Sequence, residues 1–460
     1  MKIKFLLLLT ALVVLAFAPM LKQKAKEETR PNIIFILTDD HRWDALGYQG
    51  NKIIQTPEMD KLAKEGIYFK KAFVTTPICM ASRASILTGQ YERKHGYTLH
   101  HPAVPDQFME NSYPTLIKKA GYYTGFFGKF GVKYDNKNQL FDVCESYDRK
   151  DTFPDRRGYF YQTIKGDTVH LTRYTGYKAL EFIKNAPKDK PFCLSLSFSA
   201  PHGHDSSKEQ YFWEAEQNDL YKDVVFPAPK LSDDKYFNEQ PQYVREGENR
   251  KRWYWRFDTP EKYQQSMKGY YRMISGVDME IKKIRTLLTE MGYDKNTIII
   301  FTGDNGYFLG ERQLADKWLM YDNSLRVPMM IYDPRNINHR DIEDMVLNID
   351  IPSTILDFAG VEIPKKLQGR SLASYVKKQN PAESRNLFLC EHLAEYKPIP
   401  PSEGVRTKQW KYFRYIHDRP HEELYNLDKD PWEENNLAGN LEYKKILDEL
   451  RSKCDSMIVQ

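Results

Sequence analysis

Cysteine is scarce in this chain: five residues in 460, at Cys79, Cys144, Cys193, Cys390 and Cys454. So sparse and odd a set is no disulfide framework. None stands in a C-x-x-C pair, which removes the support for a zinc ribbon or a thioredoxin-like redox site. An excess of one charge is also missing. Against 68 Lys and Arg stand 63 Asp and Glu, and the net +5 is no nucleic-acid footprint. There is no Gly-X-Y period, no long low-complexity tract and no internal repeat, which excludes collagen, mucin-like stalks and wholesale disorder. What is present, 41% hydrophobic and 13% aromatic residues, describes a globular chain. Its length suits one large domain plus a smaller one, or about two to four ordinary ones.

The chain opens Met1-Lys2-Ile3-Lys4, then runs apolar from Phe5 to Ala18 and ends that run in Ala16-Phe17-Ala18. A basic start, a short apolar middle and a small-x-small exit read as a signal peptide over residues 1–18, with a charged spacer at 19–30. The run is short for a membrane span, so no stable span is expected; an uncleaved anchor is the alternative, because Pro19 follows the cut. No cysteine follows to carry a bacterial lipid anchor. Export and a Lys-rich composition together point to a bacterial periplasm.

Three buried-strand signatures, Asn32 to Leu37, Phe192 to Phe198 and Thr297 to Thr302, are interleaved with helical patterns, one opening at Thr56-Pro57 and one from Glu261 to Met291. This alternation predicts an α/β fold, a large mixed, mostly parallel sheet sandwiched by helices. Each strand delivers polar residues at its carboxyl end: Asp39-Asp40, Ser199-Ala200-Pro201-His202, and Asp304-Asn305. Ligands of open parallel sheets bind at that edge. Residues 31–370 read as a catalytic domain with an aromatic-rich insertion at about 206–260. Residues 371–460 read as a smaller α+β subdomain with a short antiparallel sheet, strands near Asn386–Cys390 and Val405–Tyr415, and a closing helix at Leu441–Ile458.

Pro77 to Gly89 contains C-x-A-S-R-x-x-x-L-T-G, beginning at Cys79. A helix starting just after Cys79 aims backbone N–H groups at that position, and Arg83, one turn on, adds a fixed cation for an anion's oxygens. Asp39, Asp40, Asp304 and Asn305 offer oxygen ligands without His or Cys, which suits Ca²⁺ or Mg²⁺ rather than zinc.

The Cys79 segment resembles the signature of the type I, formylglycine-dependent sulfatases of the alkaline phosphatase superfamily. Further matches, Glu311 to Pro328 (ending S-L-R-V-P) and Glu423 to Pro431, extend the resemblance from about Pro31 to Ala438. It implies that a formylglycine-generating maturation enzyme converts Cys79 to 3-oxoalanine, whose hydrate is the nucleophile. It implies one calcium ion, magnesium being the second choice, on Asp39, Asp40, residue 79, Asp304 and Asn305. It further implies that Lys129 and Lys317 hold the sulfate and that His202, with Lys317, protonates the leaving oxygen. One departure stands out: many members read G-K-W-H where this chain has Gly128-Lys129-Phe130-Gly131, with glycine in place of a second catalytic histidine. That marks a divergent branch.

The expected substrate is a sulfated carbohydrate. Arg252, Trp253, Trp255 and Arg256 of the insertion are candidates for stacking on sugars and reading anions, with His100, His101, Arg156 and Arg157 as further rim candidates. Two rivals stand beside this expectation. One is a phosphodiesterase or phosphonate monoester hydrolase of the same superfamily, although no His-rich second metal site supports a two-zinc phosphatase. The other is a catalytically dead, glycan-binding relative.

Overall fold

The computed structural model describes residues 30–99, 102–377, 384–417 and 421–459. The expected signal peptide, all of the spacer except Arg30, and His100 and His101 lie outside the described residues. Among the described residues no helix is long and apolar enough to cross a membrane.

The strand Asn32–Thr38 is buried at every position. Its alternate residues explain why: Ile33, Phe35 and Leu37 face one apolar layer, Ile34 and Ile36 the other. The first layer is completed by the helices Cys79–Thr88, Tyr113–Lys119 and Asp350–Phe358, the second by Pro57–Glu65, Leu171–Asn185 and Pro260–Glu290. Between them lies one eight-stranded sheet. Its order is Arg340–Leu347, Ile67–Phe73, Met329–Tyr332, Thr297–Gly303, Asn32–Thr38, Phe192–Phe198, Tyr123–Gly128 and Val143–Ser146. Only Met329–Tyr332 runs against its neighbours. The expected sandwich with a mostly parallel sheet is therefore what forms.

A second sheet of four antiparallel strands, Leu387–His392, Ser402–Thr407, Trp410–Tyr415 and Glu422–Asn426, follows near the carboxyl end. The Val405–Tyr415 stretch is thus parts of two strands, because Lys408-Gln409 turns the chain back on itself. The closing helix is Lys444–Ile458, preceded by one 3-10 turn at Leu441–Tyr443, and it buries Leu447, Leu450 and Cys454 against Leu389, Val405, Tyr412 and Leu424. All five cysteines are free.

The small sheet is tied to the large one by buried charge. Lys411, fully buried, contacts Asp322 and lies 2.5 Å from Glu433. Arg406 reaches the same Asp322 at 3.0 Å, and Glu433 accepts the Asp322 N–H at 2.8 Å. Removing Lys411 leaves buried Glu433 without its cation and Asp322 with Arg406 alone. Lys411→Met should therefore cost about 3–5 kcal/mol of unfolding free energy. Lys408→Met, at an exposed position of the same hairpin, should stay within about 0.5 kcal/mol in the same denaturation experiment.

Candidate active site

Sheet register assembles the site. Thr38 lies opposite Phe198 on one side and Gly303 on the other, so the residues that follow these strands emerge side by side. The Asp39 N–H donates to Ala200 O at 3.1 Å and the Asp304 N–H to Thr38 O at 2.9 Å, which fixes the three exits together. Asp40 adopts a left-handed φ of 63°, a conformation Asp tolerates better than most residues. Its N–H then donates to Asp304 Oδ1 at 3.0 Å, and its Oδ1 accepts from Asn305 Nδ2 at 2.7 Å.

Cys79 is the first residue of its helix rather than the one before it. Arg83, one turn later, donates through Nε to Asp304 Oδ2 at 2.8 Å and through Nη1 to Lys129 O at 2.7 Å and Ser197 Oγ at 2.5 Å. Lys129, just past the Tyr123–Gly128 strand, places Nζ 2.5 Å from Asp39 Oδ2, 3.7 Å from Cys79 Sγ and 3.7 Å from Asp148 Oδ2. Lys317 contacts Asp40 Oδ1. His202 Nδ1–H is donated to Gly203 O at 2.5 Å, and this turns Nε2 inward to 3.6 Å from Asp40 Oδ2. All nine residues expected from the sequence for catalysis and metal binding are thus brought together.

Burial sets their electrostatics. Desolvation pushes the Asp39 carboxyl up, but Lys129, Arg83 and Lys317 outweigh it and hold the group at about 2. For Asp40 the order is reversed: burial, reinforced by Asp39, Asp316 and Asp304, overcomes Lys317 and pushes it up to about 7. Burial also raises the Cys79 thiol, against the pull of Lys129 and Lys317. A thiolate nucleophile needs the opposite shift. His202 is driven well below its ordinary value by burial and then by Arg149, Lys317 and Lys129.

Asp39 Oδ1, Asp40 Oδ2 and Asn305 Oδ1 are buried and have no hydrogen-bond partner. Orphaned buried acceptors are costly and call for a ligand. Ligand atoms of Asp39, Cys79 and Asp304 lie within 4.8 Å of one another. Oxygens dominate this donor set, and it fits a hard divalent cation.

Sequence reasoning missed several supporting residues. Ser197 and Asp148 gave no signal of their own, since their partners lie far away in the chain. Asp316, next to Lys317, is the anchor for both insertion arginines: Arg252 Nη1 reaches it at 2.6 Å and Arg256 Nη1 at 3.2 Å, and both also bind Asp205. Arg252 and Arg256 therefore brace the Lys317 loop, and the buried Arg256 is no rim residue. Trp253 lies under Arg250 at 4.0 Å and Trp255 beside Lys251 at 5.2 Å. Arg157 pairs with Asp155 at 2.9 Å in solvent, and Arg156 lies over Phe160 at 4.4 Å. Among the described residues no hydrogen bond or ion pair joins these last four to the nine.

Gly131 has a φ of +69°, and a Cβ there would lie 2.5 Å from Arg83 Cδ and 3.1 Å from Arg83 Nε. The Arg83 side chain runs where a side chain at 131 would begin. Gly131→Ala should lower stability by about 1–2 kcal/mol in a thermal melt and, by displacing Arg83, reduce turnover by about 10²-fold.

A family model described as Sulfatase matches residues 31–361, and one described as N-sulphoglucosamine sulphohydrolase, C-terminal, matches residues 310–460. The chain is 30% identical to an N-acetylglucosamine-6-O-sulfatase of Bacteroides thetaiotaomicron, over 96% of this chain and 89% of that one. It is also 30% identical to an arylsulfatase of Clostridium perfringens, over 92% and 93% of the two chains. A solved structure in complex with its substrate D-glucosamine-2-N,6-O-disulfate superposes with a TM-score of 0.79 at 27% identity, covering 93% of this chain and 97% of that one. With its fold, its site and its relatives in agreement, this chain belongs to the sulfatase family and is a sulfuric ester hydrolase.

Proposed function

We propose that this sulfatase is exported and acts on a sulfated carbohydrate, using Cys79 as formylglycine and one calcium ion held by Asp39, Asp40, residue 79, Asp304 and Asn305. The observation that carries the reading is the setting of Cys79. Its Sγ lies at a helix start, 3.7 Å from Lys129 Nζ and among the ligand oxygens, yet its thiol is pushed up rather than ionised. A cysteine so placed is poor as a thiolate and well placed as the precursor of another group. Hydrated formylglycine, when formed, supplies an oxygen nucleophile, and calcium, when bound, supplies positive charge for the sulfate oxygens. The carbohydrate assignment draws on the relative that acts on N-acetylglucosamine sulfate and on the neighbour holding a disulfated glucosamine.

The chain's own residues do the rest. Lys129 and Lys317 flank residue 79 and hold sulfate oxygens through charge-assisted hydrogen bonds. Arg83 bonds Asp304, pulls against the burial that raises its carboxyl, helps Lys129 hold Asp39 low, and fixes the strand exits, so the donors need no reorganisation as charge develops. Gly203 O accepts the His202 Nδ1–H and so turns Nε2 inward; Nε2 serves as the acid for the leaving oxygen only after the ring has taken up a second proton, with Lys317 alongside as a donor that is already charged. The incoming anionic ester adds negative charge beside a ring that burial and three cations otherwise keep neutral.

Two outcomes follow. Protein from a host with the maturation enzyme should yield a Cys79 peptide that reacts with a hydrazide, and Cys79→Ala should abolish both that reaction and sulfate release. An unmodified thiol in active protein would overturn the formylglycine assignment. Asp304→Ala should eliminate saturable calcium binding by titration calorimetry and should not regain activity when calcium is added; full activity would discard the ligand set. Faster cleavage of a phosphonate ester than of the matching sulfate ester would favour the rival hydrolase.

A further inference from the structure

A cavity of about 210 Å³ opens outside the site just described, lined by Arg156, Phe160, Glu209, Tyr211, Phe212 and Trp213 among others. None of these belongs to the catalytic nine, but the cavity is built on the same framework. The Tyr211 ring packs 6.2 Å from Tyr270, whose hydroxyl donates to Asp40 O at 2.6 Å. The Phe212 ring lies 6.2 Å from Tyr159, whose hydroxyl donates to His202 O. The inner wall of the cavity is therefore one aromatic layer removed from the backbone that carries Asp40 and His202.

Its chemistry is specific. Trp213 is pinned, with Arg272 over its ring at 4.5 Å and Nε1–H donated at 2.9 Å to Oδ1 of Asn218, which also lines the cavity. Arg156 lies 4.4 Å above Phe160, is exposed, and has no carboxylate within ion-pair reach among the described residues, unlike its neighbour Arg157. The contact of Glu209 is a long one from Ser207 Oγ at 3.4 Å. Rigid aromatic faces suit the apolar face of a sugar ring, an unpaired guanidinium suits a carboxylate or sulfate, and a carboxylate accepts hydroxyls. The volume admits one ring rather than a chain.

We propose that this cavity is a second saccharide subsite that takes one anionic sugar ring, its charged substituent on Arg156, its face on Trp213, and a hydroxyl on Glu209. The proposal rests on the carbohydrate reading above. The ring comes either from the saccharide whose ester is cut or from a separate chain.

The test is titration calorimetry on the full-length chain carrying Cys79→Ala, so that nothing is turned over. The probes are tetrasaccharides from heparin, chondroitin sulfate and ulvan, with neutral chitotetraose as control. At least one sulfated probe should bind, chitotetraose should not, and adding Arg156→Glu or Trp213→Ala should weaken that binding about tenfold, the loss of one charge-assisted contact or one stacked face. Arg156 is exposed, so Arg156→Glu keeps the test decisive if the tryptophan variant folds poorly. One probe per protein identifies a single chain spanning both sites; two identify separate chains. Binding that both variants leave unchanged sinks the subsite and spares the carbohydrate reading. No binding of any sulfated probe sinks both.

Discussion

A buried guanidinium holds the centre together. Arg83 leaves the helix that begins at Cys79 and bonds Asp304 from one strand exit, Ser197 from a second strand and the Lys129 carbonyl from a third. Desolvation opposes a charge at this depth, but Asp304 and Asp39 more than offset it. Without such partners a buried charge costs several kcal/mol, about 3–5 by comparison with broken buried pairs. The consequence is geometric: three loops that could move independently share one planar, five-donor fork. The absence of a side chain at Gly131 is part of the same arrangement, because the aliphatic stem of Arg83 occupies that space. A side chain at position 131 would require the Arg83 stem to shift.

Lys317 is held differently, by over-determination of a strained loop. Arg312, Gln313, Asp316 and Trp318 all have positive φ. Each such residue costs about 1–3 kcal/mol unless its surroundings enforce it. The enforcement comes from three directions. Asn249 Nδ2 donates to the carbonyls of Ala315 at 2.7 Å and Lys317 at 2.8 Å, Arg252 and Arg256 bind Asp316, and the Trp318 N–H donates to Pro77 O at 2.9 Å. At the loop's ends Arg312 donates to Glu433 O at 2.5 Å, and Asp322 is held by Arg406 and Lys411 of the small sheet. The insertion and the carboxyl-terminal sheet thus act on the site through the loop that presents Lys317.

The sequence made the centre of this molecule more legible than its edges, and the reason is burial. Asn32–Thr38, Phe192–Phe198 and Thr297–Gly303 are covered on both faces and so carry unbroken apolar runs. Ile67–Phe73 carries Lys70 and Lys71, and Arg340–Leu347 alternates exposed and covered residues at the sheet's edge. Tyr123–Gly128 is broken by glycines, of which Gly125 lets the Phe182 ring lie against the strand. None of these three reads as a strand by hydrophobic pattern alone. That the nine residues expected at the site would meet was legible because their local motifs are strong. For Arg252 and Arg256 the sequence left sugar contact and packing of the insertion both open, because a guanidinium that braces a loop and one that greets a ligand look the same until Asp205 and Asp316 are seen beside them.

The neighbouring aspartates show what the assembled charges are for. Asp39 and Asp40 are consecutive, both fully buried, yet one is held at about 2 and the other pushed up to about 7. Desolvation is the largest contribution for both, so the difference lies in their company: Asp39 has Lys129, Arg83 and Lys317 around it, whereas Asp40 has Lys317 against three other carboxylates. Two of the protein's three cations, Lys129 and Arg83, therefore bear on Asp39, and only Lys317 contacts Asp40. On the Asp40 side, Asp40 Oδ2 and Asn305 Oδ1 have no hydrogen-bond partner among the described residues, which leaves a place for positive charge from outside the chain. Once a divalent cation supplies it, three carboxylates face three side-chain cations and the ion's charge is left over. A sulfate monoester, with one negative charge, would then offset half of that excess, so a geometry suited to a divalent cation also favours an anionic substrate.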